Sequence, residues 1–213
     1  MAGYRVAIGL NRAPREHDLL VTWNRIGAAN DAAKLYFQVI VAENATWGND
    51  FMGGQWLHLA RDRHNTAGMF QVAGADRWDS LGVELAPFRI EGETVILAQR
   101  GIGSPPTSMP SGWPDSAWSR HGGRIRRHPG RNKAISLEED LKRCGKVVTW
   151  GSGAAIKALI MGIPVVSEMP DWIGKQDNTE AGRLEMLRRL AWAQWRMDEI
   201  ASGEPFVRLL DCP

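Results

Sequence analysis

The sequence predicts an α/β protein of two small Rossmann-like halves with parallel sheets, meeting near residue 90, and a long C-terminal helix packing across both. Three observations predict it. Short β-branched runs at residues 18–23 and 147–150 each end in a polar or glycine-bearing turn, then pass through good helix formers into another apolar run. Residues 85–89, Leu-Ala-Pro-Phe-Arg, read as a linker between two such stretches. Leu184, Leu187, Ala191 and Trp195 recur at helical spacing over residues 179–201.

The elements follow in order. Residues 4–10 read as a first short strand. Residues 18–23 are a better one, ending in Asn24-Arg25-Ile26-Gly27; a helix over 28–37 and a strand over 39–42 complete a βαβ unit with parallel strands. Residues 51–90 carry many glycines and little periodicity, with one helical turn expected within 78–85. The second half opens with a strand over 93–98 and a loop over 99–114 containing Ser104-Pro105-Pro106. A loop of that length is either a lid over a ligand or disordered when free. Pro114 helps start a helix ending at 117–121, and residues 124–127 form a strand delivering His128 and Pro129. Ser136 and Glu139 have capping-box spacing and open a helix over 136–143. Next come a strand over 147–150, a helix over 154–161 stopped by Gly162, and a strand over 164–167. Residues 1–90 are thus one half and 91–213 the other.

Composition narrows the class. A chain of 213 residues, 44% hydrophobic, can bury an ordinary core, which argues against disorder. The formal charge is +2 and the sequence pI about 8.7, compatible with a polyanionic partner or with none. Arg120, Arg124, Arg126, Arg127, Arg131 and Lys133 cluster, as do Arg183, Arg188 and Arg189; each cluster is either an anion-binding face or a solvated one. Two cysteines without zinc spacing fit a reducing compartment. No apolar run approaches a membrane span, so a soluble cytoplasmic protein that does not contact membrane is expected. The ten tryptophans are unusual. Trp23, Trp47, Trp56, Trp78, Trp113, Trp150 and Trp172 lie beside polar loop signals, where they either pack the core or line a groove that stacks a sugar or base.

The richest stretch is Gly151-Ser152-Gly153 between the 147–150 strand and its helix. Such a turn leaves backbone N–H groups at the helix start open to an anion, most often phosphate; a tight turn without ligand is the alternative. Ser152 either caps the helix or binds a phosphate oxygen. Gln99, Arg100 and Gly101 follow another strand, and Arg127 and His128 a third. In a doubly wound sheet these segments share the carboxyl ends where ligands gather. Glu168 follows the last strand as an acceptor for ligand hydroxyls or a partner for arginines. In the first half, Asn24 and Arg25 end one strand and Glu43 and Asn44 the other, so the four are expected to face one crevice, with Trp47 beside them. Glu43 is a candidate general base, or else an ion-pair partner of Arg25 or a loop cap; His64, in the polar segment 55–65 that also holds His58 and Asp62, is a second candidate base.

A strand ending in Gln99-Arg100, then His128-Pro129, then Ser152-Gly153 running through Ala158-Leu159 and Gly162 to Pro164-Val165 resembles the donor half of GT-B-type glycosyltransferases. It resembles in particular the capsule-polysaccharide sugar transferases, and also the small phage- and prophage-encoded, DNA-modifying sugar transferases. The resemblance covers residues 94–172 and implies a miniature GT-B-like fold. It implies a nucleotide diphosphate sugar as co-substrate, a UDP-sugar among the candidates, whose diphosphate meets His128, Ser152 and Gly153. The chain departs in being much shorter and in following Glu168 with Met-Pro-Asp-Trp where the family carries its Glu-bearing ribose motif.

The expected reaction is transfer of the sugar to an acceptor hydroxyl. The preferred acceptor is a hydroxymethylated base, 5-hydroxymethylcytosine, in double-stranded phage DNA; a cell-surface or capsular saccharide is the alternative. A non-catalytic nucleotide- or sugar-binding module, or an epimerase- or phosphatase-like enzyme, are the rival classes. No Asp-x-Asp motif occurs, so neither metal nor bound cofactor is expected, and Gly101-x-Gly103 lacks the third glycine of a dinucleotide fingerprint.

Overall fold

The computed structural model describes residues 9, 12–63, 68–103, 105–130 and 135–211. The chain divides into two compact units. The first is Met1–Ala73 with Ala191–Pro213, and the second is Gly74–Leu190. The change between them falls after Ala73, not near residue 90, and the C-terminal segment belongs to the first unit. The strand expected over residues 4–10 lies outside the described residues.

In the first unit, β1 (Leu19–Trp23), α1 (Ala28–Ala33) and β2 (Gln38–Asn44) form the expected βαβ unit, with β1 and β2 parallel from Leu19↔Gln38 to Trp23↔Ala42. The helix ends well short of residue 37. Ala32 and Ala33 are the residues it buries, against Val39 and Val41, and the chain then turns at Lys34 toward β2.

The sheet itself corrects the all-parallel expectation. β3 (Trp56–Arg61) runs antiparallel to β2, Ile40 facing Arg61 and Asn44 facing Leu57. The connection from β2 holds only a short 3-10 turn at Phe51–Gly53; a return to parallel would need a crossover segment, normally helical. With β8 (Gln194–Arg196) on the far side of β3, a mixed sheet of order β1-β2-β3-β8 results.

The long helix expected over 179–201 is in fact three elements. α6 (Glu180–Ala191) ends as the chain leaves the second unit. β8 (Gln194–Arg196) then pairs antiparallel with β3, and α7 (Met197–Ser202) follows. Trp192, Ala193, Gln194 and Trp195 are consecutive and all buried, which one face of a helix cannot achieve. Trp192 and Trp195 join Ile40, Ala42, Leu59 and Leu209 in a core that also takes in α8 (Glu204–Leu210). Packing overrode the helical spacing.

The second unit has the predicted architecture. β4 (Glu93–Ala98), β5 (Arg124–Arg127), β6 (Cys144–Thr149) and β7 (Val165–Ser167) form an all-parallel sheet of order β5-β4-β6-β7. The crossovers carry α3 (Trp113–His121) between β4 and β5 and α5 (Ala154–Ile160) between β6 and β7. Val95, Ile96, Leu97, Val147 and Val148 are buried as near-continuous runs, as a sheet covered on both faces requires.

Ser136 Oγ accepts from Glu139 N–H at 3.1 Å, so the cap is real. Its helix α4 spans only Leu137–Asp140, because the chain must turn into β6 at Cys144. A second short helix, Asp76–Asp79, supplies the single turn expected a little later in the chain.

The 85–89 segment is no linker but part of this unit. Arg89 N–H donates to Gly162 O at 2.7 Å, and Gly162, at φ +74°, approaches so closely that a Cβ there would lie 2.2 Å from Pro87 O. The Arg183 side chain, 1% exposed, donates to Ala86 O and lies 4.3 Å from the Phe88 ring centroid.

Candidate functional site

Parallel pairing brings the second-unit candidates to one edge. Ala98 is level with Arg127, Leu97 with Thr149, and Thr149 with Ser167. Gln99-Arg100-Gly101, His128, Gly151-Ser152-Gly153 and Glu168 therefore follow the carboxyl ends of four adjacent strands, where ligands of open α/β sheets bind.

Their side chains are not equally available. Gln99 turns sideways and its Oε1 accepts from Gly151 N–H at 3.1 Å. Ser152 N–H donates to Thr149 Oγ1 at 3.0 Å, and Ser152 Oγ accepts from Ala154 N–H at 3.2 Å. Ser152 Oγ is thus engaged with the Ala154 amide, and three amides expected to be open to an anion have acceptors inside the chain. Ser152 and Gly153 nevertheless remain partly exposed.

Arg100, Arg127 and His128 are exposed. His128 Nδ1 accepts from Gly130 N–H at 2.9 Å, so the neutral ring carries its proton on Nε2, as a donor. Partial burial, then the positive charges of Arg100 and Arg126, lower its pKa below the ordinary histidine value. Arg126 itself is paired with Asp140.

Glu168 has the arginine-pairing role. Its carboxylate accepts from Trp113 Nε1 at 2.7 Å and from Arg120, and lies 3.0 Å from His121 Nε2. Trp113, Arg120 and His121 all come from α3, so Glu168 ties that helix to the end of β7. Desolvation opposes ionisation, but the bonds from Trp113, His121 and Arg120 outweigh it and lower the pKa. A depressed carboxylate stabilises the fold above its unfolded pKa, and that contribution fades as pH falls through the folded value. Thermal melts from neutral to acidic pH are expected to show Glu168→Gln less stable than the parent at neutral pH, the difference shrinking below the ordinary carboxylate range. A constant difference across that range contradicts the assignment.

The 99–112 segment is folded down at several points. Gln99 N–H faces Met109 Sδ at 3.3 Å, Trp150 Nε1 donates to Pro106 O at 3.1 Å, and Thr107 is buried.

In the first unit Asn24 and Glu43 stay together, while Arg25 and Asn44 turn to other partners. Asn24, at φ +59°, places its side chain against Glu43: with the amide nitrogen donating to Glu43 Oε1, the amide oxygen accepts from Trp23 Nε1 at 3.1 Å. Glu43 is 7% exposed. Arg25 instead donates to Asp62 O, and Asn44 accepts from Asn49 Nδ2 at 2.8 Å. His64 lies outside the described residues.

The residue that sequence reasoning underrated is His58. Antiparallel pairing sets it directly across from Glu43, a neighbour that becomes visible only once β3 is recognised as a strand. It is fully buried, its Nδ1 lies 2.7 Å from Gln194 Nε2, and Gln194 Oε1 accepts from Thr46 N–H at 2.9 Å. The Thr46 amide thus orients Gln194 to donate to His58 Nδ1.

Most tryptophans serve the core. Trp47 is 1% exposed, stacked on Phe51 at 5.0 Å and edge-on to Trp56 at 5.4 Å, so it lines no groove; Trp56, Trp78, Trp113, Trp172, Trp192 and Trp195 are also buried. Trp23 and Trp118 are each 52% exposed.

Among the described residues no group of three or more His, Cys, Asp or Glu side chains is arranged to hold a metal ion, and no helix is long and apolar enough to cross a membrane. Fold and site together define an α/β protein whose all-parallel sheet ends in an arginine-, histidine- and glycine-bearing edge. No family model matches the chain, and no curated protein matches it in sequence.

Proposed function

We propose that this chain is a GT-B-like glycosyltransferase that moves a sugar from a nucleotide diphosphate sugar to an acceptor hydroxyl. The carboxyl edge of β4, β5, β6 and β7 is the observation that carries the reading, since a departing diphosphate needs cationic and N–H donors where its charge develops. Arg100, Arg127 and His128 are the exposed donors there. Glu43 is the candidate base, with His64 the second. The preferred acceptor is 5-hydroxymethylcytosine in duplex DNA, whose base would leave the stack to be reached.

A second reading, a non-catalytic nucleotide- or sugar-binding module, is favoured by one observation: Glu43 is nearly buried and engaged by Asn24. Mass spectrometry of hydroxymethylated DNA incubated with a panel of nucleotide sugars separates the two. A mass increase of one glycosyl residue, abolished by Glu43→Gln, is the expected result. Donor binding without any product on DNA or on saccharide acceptors supports the binding module.

A further inference from the structure

We infer that the anion-binding element of the second unit is the β4–β5 edge, formed by Arg100, Arg127 and His128, and that the turn starting α5 is not; its ligand is a phosphate or diphosphate group. This deepens the proposed function and rests on that reading only for the rest of the ligand.

The first support is an accounting of cations. Arg120 pairs with Glu168, Arg124 with Glu93 and Asp140, Arg126 with Asp140, Arg183 with Glu180 and Arg188 with Asp79. Arg89 donates to the Leu141, Lys142 and Cys144 carbonyls, and Arg189 to Ile173 O. Arg100 and Arg127 have no acceptor among the described residues, although a unit this rich in carboxylates and carbonyls satisfies most of its guanidiniums. Neither is placed at random. Arg127 ends β5 level with Ala98, the last residue of β4, and Arg100 lies two positions beyond Ala98. Neighbouring strands lie about 4.8 Å apart, so two side chains from adjacent strand ends can flank one phosphate-sized group.

The second support is the ring beside them. The Gly130 amide holds His128 Nδ1 as an acceptor, which leaves Nε2–H of the exposed ring as a third donor. Partial burial first, and then the positive charges of Arg100 and Arg126, lower its pKa. Two charged forks and one N–H exceed what a two-oxygen carboxylate can use, and suit an anion with more acceptor oxygens.

The third support is negative. At the competing turn the Gly151, Ser152 and Ala154 amides are taken by Gln99, Thr149 and Ser152 oxygens, so an anion held by those amides would displace three internal bonds.

The test is calorimetric titration of the full chain with inorganic pyrophosphate at low salt. Compared would be the parent, the double variant Arg100→Gln/Arg127→Gln, and Arg143→Gln, an exposed arginine at the opposite end of the sheet. Neither Arg100 nor Arg127 bonds to a described residue, so the double variant should melt as the parent does. Charge-assisted bonds contribute enough that its affinity is expected to fall at least about tenfold, with Arg143→Gln unchanged. An unchanged affinity in the double variant, an equal loss in Arg143→Gln, or no pyrophosphate binding by the parent overturns the inference. A paired nucleotide-sugar turnover assay keeps the two claims apart. Pyrophosphate binding lost with the arginines but no turnover preserves this site and refutes the transferase; turnover surviving loss of both arginines does the reverse.

Discussion

A chain ending at Leu190 is expected to lose the fold of its first unit, because residues 191–213 complete that unit. β8 forms one edge of the mixed sheet, the Leu59 amide donates to Ala193 O at 2.8 Å, and Trp192, Trp195 and Leu209 supply half of the buried cluster that contains Ile40. A milder form of the experiment keeps the chain intact. Trp195 is 1% exposed, and Trp195→Ala removes a large buried side chain from a core that cannot collapse fully around the gap, at a cost of about 3–5 kcal/mol. Amide hydrogen exchange locates the damage. Protection should be lost first in β2 and β3, with β4 and β6 amides retaining theirs. Equal loss in both sheets would show that residues 191–213 do not belong to the first unit in particular.

Replacing Arg183 with methionine should be the most disruptive single change in the second unit. The guanidinium donates to Ala86 O at 2.7 Å and Leu159 O at 3.0 Å and pairs with Glu180. The buried Leu159 carbonyl and the part-buried Ala86 carbonyl lose their donor, a loss worth about 1–3 kcal/mol for a fully buried group and less for the other. The ion pair adds little, because Glu180 is 59% exposed and its charge is largely screened. Arg183→Met is therefore expected to cost about 2–4 kcal/mol, and Glu180→Gln under about 1 kcal/mol, by urea unfolding. Comparable losses from the two variants would mean that the charge pair, and not carbonyl satisfaction, holds the 86–88 segment down.

Both effects sit where sequence reading was weakest, and the reason is shared. Local signals act over one turn or one strand, so the 18–44 βαβ unit, the Arg124–Arg127 strand and the β6–α5–β7 succession were legible from β-branched runs, helix formers and Gly162. Trp56–Arg61 hid as a strand because His58 and Arg61 break the apolar pattern, and His58 is held in the core by Gln194, far away in sequence. Residues 192–195 kept a helical spacing that tertiary pairing with β3 overrode. Within the site, the gathering of Gln99, Arg100, His128, Ser152 and Glu168 at one edge followed from strand order. Which of them face solvent did not: Glu168 is consumed by α3, Gln99 by Gly151, and Trp47 by Phe51 and Trp56.

The sequence alone determined an α/β chain with a parallel, glycine-punctuated second half and a cation-bearing strand-end edge, because strand, turn and helix propensities are properties of neighbouring residues. Tertiary structure alone decided that the first sheet is mixed, that the C-terminal segment returns to it, and that Arg100 and Arg127 have no acceptor among the described residues. Those outcomes depend on which distant groups meet, and burial and hydrogen-bond satisfaction across the fold, not local spacing, choose among them.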